Sequence, residues 1–289
     1  AAHPDRWWGL AALSDDAPLV GPGETLRVSP SKVEAFDTCA LRWFLTGPVG
    51  VSGSSGPAAV VGSLVHALCE LASGPDALDE HTLARRLDDV LPELDLGAPW
   101  AARRRRREAL EQLARFVRWA AANPRSLVAT ELDVAVPLAA GPEVSGGAPV
   151  GVHGELRGRV DRLERDHDGR AVVVDLKTGT TKPADDELAR HAQLGGYQLA
   201  AELGAFAEHG LHTSGGASLL QLRTNKQGKE QFQAALGDDQ EPGWARELLA
   251  RVVAGMSGAA FAAQVNEHCR TCPVRGCCPA QVEGQGVLR

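Results

Sequence analysis

The middle of the chain carries a β-hairpin pattern that constrains the fold more than any other segment. Strands are predicted over residues 155–165 (ELRGRVDRLER) and 170–179 (RAVVVDLKTG), joined by a turn at residues 166–169 (DHDG). A run of aliphatic residues supplies the buried face of the second strand: Val172, Val174 and Leu176.

The hairpin also gathers charged residues. With a turn at 166–169, Asp161 falls about opposite Val174, one step from Asp175. Side chains at positions i and i+2 share one face of a strand, so Asp175 and Lys177 are expected to point the same way. A charged pair at the end of a buried strand either lowers the stability of the fold or has a functional role.

Helical and strand patterns on both sides of the hairpin predict a mixed α/β (α+β) fold. A helix is predicted to begin at Ser29-Pro30, with Ser as the cap and Pro at the first helical position. Its apolar residues fall on one face: Val33, Phe36, Ala40 and Phe44. Further helices are predicted over 62–72, 100–122, 185–209 and 241–256, and further strands over 130–138 and 217–224. This order predicts a small central mixed β-sheet flanked by helices.

The chain is expected to consist of a linker at 1–28, one domain at 29–280 and a tail at 281–289. It begins with Ala rather than Met, and we expect it to be a piece of a longer protein. A soluble, cytoplasmic protein is expected, because no apolar run of about 18 residues and no signal-peptide pattern is present. No GxxxxGK[ST] motif occurs, so any ATP-driven motor would lie outside these residues.

The charged residues of the hairpin, together with His66, predict a metal site. His66 lies on the predicted helix GSLVHALCELA, and two carboxylates with one imidazole suit Mg²⁺ or Mn²⁺. Such a cation would polarise a scissile phosphate, and Lys177 would neutralise the charge developing on it. An ordinary surface Asp–Lys pair and a structural histidine would give the same local patterns. Gln193 and Tyr197, the single tyrosine, are one helical turn apart; they would hold the lysine or the substrate, or simply pack.

Taken in order, GSLVHALCE, GRVDRLE, VVVDLKTGT and QLGGYQLA resemble the successive motifs of RecB-type nucleases in the PD-(D/E)XK superfamily. SPSKVEAFDTCALRWFL resembles the opening of their iron–sulfur branch, found in AddAB- and AdnAB-type helicase–nucleases that process double-strand breaks. The resemblance spans residues 29–280 and implies a restriction-endonuclease-like core.

The resemblance also implies roles for individual residues. His66, Asp161, Asp175 and the backbone carbonyl of Leu176 would bind the metal, and Lys177 would be the catalytic lysine. Gln193 and Tyr197 would form the QxxxY motif. Val160 replaces the proline that precedes the first aspartate in the superfamily, and Glu131 matches an accessory acidic position only loosely.

Clustered cysteines predict a second metal centre. Cys269, Cys272 and Cys278 form a C-x₂-C-x₅-C triplet, and Cys39 would supply the fourth thiolate from the far end of the chain. The resemblance implies a [4Fe–4S] cluster that joins the N- and C-terminal segments, whereas four thiolates alone fit Zn²⁺ equally well. Cys277 satisfies the spacing as well as Cys278, which the family pattern favours. Cys69 is expected to be a buried helix residue.

The net charge of −7 disfavours a broad nucleic-acid surface but allows a local basic groove. Of the 30 basic residues only 5 are lysines, so a retained lysine such as Lys177 is a candidate for a chemical role. DNA contacts are predicted for Arg42, Trp43, Arg103, Arg104 and Lys226.

We therefore expect a Mg²⁺- or Mn²⁺-dependent deoxyribonuclease that hydrolyses phosphodiester bonds in single-stranded DNA from an unwound duplex. A helicase in the same chain or in a partner subunit would supply that strand during double-strand-break repair. The alternatives are a stand-alone iron–sulfur nuclease of CRISPR spacer acquisition and a catalytically inactive DNA-binding clamp.

Overall fold

The computed structural model describes residues 17–51, 56–74, 76–138, 152–223 and 228–285. Its strands, in chain order, are β1 (Thr25–Val28), β2 (Ser126–Leu138), β3 (His153–Arg165), β4 (Ala171–Lys177), β5 (Ser214–Gln221) and β6 (Lys229–Gln233). Its helices are α1 (Pro30–Thr38), α2 (Ala40–Thr46), α3 (Pro57–Leu71), α4 (Glu80–Val90), α5 (Pro99–Ala122), α6 (Ala192–Glu202), α7 (Trp244–Ser257) and α8 (Val282–Gln285). The chain divides into two packing units, the smaller from Ala1–Gly53, Pro137–Arg157 and Gly243–Arg289, the larger from Ser54–Val136 and Gly158–Pro242.

In the smaller unit, β1 pairs in parallel with the first residues of β3, from Thr25 opposite His153 to Val28 opposite Leu156. The last residues of the segment expected to be a linker are thus part of a sheet. Helices α1 and α7 pack together. Stacked and edge-on aromatic rings fill the space beside them, contributed by Phe36, Trp43, Phe44 and Phe261.

The N-terminal helix begins as predicted but ends earlier. The Ser29 side chain accepts a hydrogen bond from the backbone of Lys32, and Pro30 occupies the first turn. The predicted single helix is interrupted at Cys39, whose extended backbone separates α1 from α2. The C-terminal segment satisfies the backbone groups exposed by the break: Asn266 donates to the Thr38 carbonyl, and the Leu41 amide donates to the Ala262 carbonyl.

The larger unit is a mixed α/β arrangement with a central mixed sheet. Within it β3 pairs antiparallel with β4, β4 pairs in parallel with β5, and β5 pairs antiparallel with β6. Helices α3, α4 and α5 pack on one face, over the predicted buried residues Val172, Val174 and Leu176. Helix α6 contacts β4 and β5. This arrangement confirms the expectation of a mixed sheet flanked by helices.

The hairpin register differs by one residue from the prediction. Arg162, not Asp161, lies opposite Val174. The cause is the turn: the Asp166 amide bonds to the Arg170 carbonyl, and the Gly169 amide bonds to the Asp166 carbonyl, with Gly169 at a φ of 78°. These contacts describe a three-residue loop closed by a left-handed glycine, rather than a four-residue turn.

Three further elements differ from the sequence-based expectation. The helix expected over 185–209 extends only from Ala192 to Glu202, and Gly204 follows in the left-handed region, which ends helices. Helix α4 and strand β6 were not predicted from the sequence. Among the described helices, none is both long and apolar enough to cross a membrane.

Candidate active site

The hairpin ladder ends where the candidate site begins. The last paired residues are Arg162 and Val174, so Asp161 and Asp175 are the next residues to face each other as the strands separate. The Leu176 amide donates to Asp161 Oδ2 at 2.7 Å. A carboxylate thus satisfies a backbone donor near the end of the ladder, and this contact fixes the position of the Asp161 side chain.

Helix α3 brings His66 to Asp161. His66 Nδ1 lies 3.5 Å from Asp161 Oδ1, and both side chains are partly exposed. The helix approaches the sheet closely at Gly62, where a Cβ atom would come within 2.8 Å of Thr178 Oγ1. Glycine at this position therefore permits the spacing that sets His66 beside the strands.

Glu131 completes a cluster that the sequence suggested only loosely. Ligand atoms of His66, Glu131 and Asp161 all lie within 4.8 Å of one another. Glu131 has a φ of 48° within β2, which is unusual for a residue with a side chain. An open cleft of about 610 Å³ adjoins the three residues, and Glu70 and Arg159 also line it.

The second half of the site is a buried network around Asp175. Lys177 Nζ lies 2.8 Å from Asp175 Oδ2 and donates to Gln193 Oε1 at 2.7 Å. Gln193 Nε2 donates to Asp175 Oδ1 at 2.7 Å, and the Tyr197 hydroxyl donates to the same oxygen at 3.2 Å. Gln193 and Tyr197 therefore hold the side chain of Asp175 in place, and Gln193 also holds that of Lys177.

Burial and like charges shift the protonation of these groups. Burial raises the pKa of Asp175, with Asp161 adding to the shift while Lys177 opposes it. Burial also raises the pKa of Glu131, and the charge of Asp161 contributes. Burial lowers the pKa of His66, but the hydrogen bond and charge of Asp161, with the charges of Asp175 and Glu131, raise it overall.

The donor set fits a divalent cation. Carboxylate oxygens with one imidazole nitrogen match the ligands of Mg²⁺ and, with better tolerance of nitrogen, of Mn²⁺. Asp175 Oδ2 is buried and accepts no hydrogen bond of good geometry among the described residues, although Lys177 is close. The charge of Asp161 raises the pKa values of both Glu131 and Asp175, so a positive ion would relieve repulsion among these carboxylates. Leu176, expected to offer its carbonyl, is tied to the site through its amide.

In the smaller unit, the four cysteines expected as thiolate ligands line one cavity: Cys39, Cys269, Cys272 and Cys278. Backbone amides donate to two of the sulfurs, Gln264 to Cys39 and Asn266 to Cys269. Such N–H···S contacts accompany metal-bound thiolates. Cys277 is exposed and directs its thiol to the Val274 carbonyl, outside this cavity.

The predicted DNA contacts separate into different environments. Trp43 is only 9% exposed and packs against Phe36 and Phe261, so its ring is not available to stack on a base. Arg42 lines the cysteine cavity. Arg103 and Arg104 are both exposed on α5. Lys226 lies outside the described residues.

A comparison of the sequence with protein families identifies the family of this chain. The profile of the family described as the PD-(D/E)XK nuclease superfamily matches residues 27–279. No curated protein matches the chain significantly. A solved structure titled "Crystal structure of SSO0001" is 14% identical, with a TM-score of 0.41, and the match covers 89% of this chain and 87% of that one. From the profile match, this chain belongs to the PD-(D/E)XK nuclease superfamily.

Proposed function

We propose that the chain is a Mg²⁺- or Mn²⁺-dependent deoxyribonuclease that hydrolyses phosphodiester bonds in single-stranded DNA. The observation that carries this proposal is the convergence of His66, Glu131 and Asp161 beside an open cleft, with Asp175 and Lys177 next to them. Membership of a superfamily whose members are typically metal-dependent nucleases supports the same reaction class.

Each residue of the site has a distinct task in this proposal. A bound divalent cation would supply Lewis-acid stabilisation of the phosphate and make water more acidic. His66, Asp161 and Asp175 would hold the cation, with Glu131 as a further carboxylate on the cleft side. Lys177, which contacts Gln193 and Asp175, would stabilise the negative charge that develops on the phosphate oxygens.

The cellular context is part of the proposal. A helicase in the same chain or in a partner subunit would deliver the strand from an unwound duplex during double-strand-break resection. The motif order of RecB-type nucleases supports this context, together with the opening segment around Cys39. A nuclease that acts alone in spacer acquisition and an inactive DNA clamp are the competing outcomes.

We further propose that Cys39, Cys269, Cys272 and Cys278 bind a [4Fe–4S] cluster that joins the two ends of the domain. The shared cavity and the two amide-to-sulfur contacts support four-thiolate ligation. A structural Zn²⁺ site is the alternative. Because each end of the chain would contribute ligands, metal loss would lower stability rather than alter chemistry directly.

Cleavage assays test the activity. We expect the purified chain to cut fluorescently labelled single-stranded DNA when Mg²⁺ or Mn²⁺ is added and to be inert in chelator. Asp175→Ala should abolish cleavage, whereas Asp89→Ala, at an exposed aspartate on α4, should not. Equal cleavage by wild type and Asp175→Ala would show that the activity does not come from this site. Binding without cleavage by the wild type would favour the clamp.

Metal analysis tests the cysteine site. We expect about four iron atoms per chain, as a [4Fe–4S] cluster requires, and the visible absorbance of an iron–sulfur chromophore. Both should be lost in Cys272→Ser. The matched variant Cys277→Ser should keep its iron, since Cys277 lies outside the cavity. A colourless protein with one bound zinc would refute the cluster and support the alternative.

A further inference from the structure

A second pocket adjoins the candidate active site in the larger unit. It has a volume of about 240 Å³ and lies along the first half of α5. Gly62 and Thr178 line both this pocket and the active-site cleft. The two depressions therefore share a wall, and a ligand in one would be close to the other.

An exposed aromatic ring and basic groups form the rim of this pocket. Trp100 is 65% exposed, which is unusual for so large an apolar side chain. Arg104, Arg105 and Arg223 supply three guanidinium groups against the single carboxylate of Glu108. The pocket is thus locally positive in a chain whose net charge is −7.

Ion pairs preorganise two of these arginines. Arg104 Nε donates to Glu108 Oε1 at 2.8 Å, and Arg223 donates to Glu108 Oε2 at 3.0 Å. The hydrogen bond from Arg104 lowers the pKa of Glu108, so this carboxylate remains charged and keeps both guanidinium groups in place. Both arginines are still partly exposed and can contact a phosphate.

The floor of the pocket contains a polar atom without a partner. Gln112 is 5% exposed, and its Oε1 atom is buried without a hydrogen bond among the described residues. A buried acceptor left without a donor costs free energy, which a donor on a ligand would recover by a small rotation of the amide. Exocyclic amines of cytosine, adenine and guanine are such donors.

We propose that this pocket binds one unpaired nucleotide of the strand to be cut, with its base stacked on Trp100 and its phosphate on Arg104 and Arg223. The combination of an exposed indole, a basic rim and a buried acceptor matches the three parts of a nucleotide: base face, phosphate and base edge. The pocket volume of about 240 Å³ is smaller than that of sites for drug-sized ligands and suits a single base. The inference rests on the proposed nuclease function and adds where the strand lies beside the active site.

Binding measurements without divalent cation test the pocket separately from catalysis. Fluorescence anisotropy with short labelled oligodeoxycytidine and oligodeoxythymidine strands would give the affinities of each variant. Trp100→Ala should weaken binding about 5- to 150-fold, as expected for loss of one base stack, and Trp100→Phe should recover most of it. Trp100 is exposed, so neither change should affect folding.

Two further variants probe the rim and the floor. Arg104→Ala should weaken binding and reduce its salt dependence by about one phosphate contact, whereas Arg86→Ala, at an exposed arginine on α4, should change neither. Gln112→Leu should reduce affinity for both oligodeoxycytidine and oligodeoxythymidine, since the exocyclic amine of cytosine and the ring N3–H of thymine can each donate to Oε1. Unchanged affinity for both strands would refute the role of Gln112 as an acceptor.

The outcomes distinguish this inference from the proposed function. If Trp100→Ala and Arg104→Ala both bind DNA as tightly as wild type, the proposal that this pocket binds a nucleotide is refuted, even if Asp175→Ala abolishes cleavage. Absence of cleavage by the wild type would refute the proposed nuclease function. The binding measurements on the variants would still decide whether a DNA strand occupies the pocket. Failure of the wild type to bind either strand would overturn this inference directly.

Discussion

Gln193 is the residue whose removal best separates positioning from stability. It is 4% exposed and makes two hydrogen bonds of 2.7 Å, from Lys177 and to Asp175. Hydrogen bonds to charged groups contribute about 1.5–3 kcal/mol each. After Gln193→Leu, Tyr197 still donates to Asp175, and Lys177 still pairs with Asp175. The free energy lost with each of the two hydrogen bonds should therefore lie near the lower end of this range. We expect the free energy of unfolding to decrease by about 3 kcal/mol.

The same substitution should also slow cleavage by the molecules that remain folded, so the loss of activity should exceed what unfolding alone would cause. Lys177 would retain its charge and its pairing with Asp175 but lose the Gln193 oxygen, the second acceptor that orients its ammonium group. Misplacement of a catalytic group by about 1 Å can cost on the order of 100-fold in rate. We therefore expect a decrease of roughly 100-fold in the single-turnover rate at saturating cation, with little change in DNA affinity.

Gln198 provides a matched control on the same helix. It is 1% exposed, donates to Gln233 and the Ala234 carbonyl, and accepts from Ser214 and the Leu236 amide. Four neutral hydrogen bonds at about 1 kcal/mol each predict that Gln198→Leu destabilises the protein by about 4 kcal/mol. Its cleavage rate per folded molecule should stay near that of wild type. Denaturant unfolding and cleavage would be measured on both variants, and parallel loss of rate in the two would refute a specific role for Gln193.

Two further predictions concern buried charge and pH. Glu164 is fully buried and pairs with Arg125 and Arg162. Glu164→Gln should therefore lower the free energy of unfolding, measured in denaturant titrations, by about 3–5 kcal/mol. An unchanged denaturation midpoint would contradict this prediction. The pKa values of His66 and Asp175, two of the proposed ligands, are both raised, so these side chains keep their protons to higher pH than usual and lose them as pH increases. Mn²⁺ affinity, measured by calorimetry, should therefore increase as pH rises through neutrality, with release of protons on binding, and a flat pH profile would exclude His66 as a ligand.

Local signals in the sequence were enough to predict the main elements of the site. Ser29 and Pro30 define a helix start through their own side chains, and the run of aliphatic residues around Asp175 defines a strand without help from distant residues. The i, i+2 spacing placed Asp175 and Lys177 together, as their 2.8 Å separation shows. These features depend on neighbours in sequence, and this is why they could be predicted.

Features that depend on distant contacts were not predictable in the same way. The hairpin register followed from the left-handed conformation of Gly169, which changed the loop by one residue. Glu131 reaches the site only because β2 pairs with β3. Trp43 was expected to face DNA, yet it packs against Phe261, more than two hundred positions along the chain. No periodicity within a short window contains this information.

The position of Asp161 opposite Asp175, just beyond the last paired residues of the hairpin, gives a final prediction. Like charges that face each other on neighbouring strands are destabilising, by about 0.2–1 kcal/mol. The protein tolerates this cost without a cation because the Leu176 amide, His66 and Lys177 surround the two carboxylates. A site of this composition is stabilised further when a cation binds, since binding to the folded state alone adds to stability.

Asp161→Asn should therefore have opposite effects with and without metal. At alkaline pH, where His66 is neutral, the variant should be as stable as wild type or more stable in chelator, because repulsion with Asp175 is removed and an amide oxygen can still accept from Leu176. Its melting temperature should not rise when Mn²⁺ is added, whereas that of wild type should. A variant that is destabilised in chelator yet still stabilised by Mn²⁺ would show that Asp161 serves the fold and that the cation binds elsewhere.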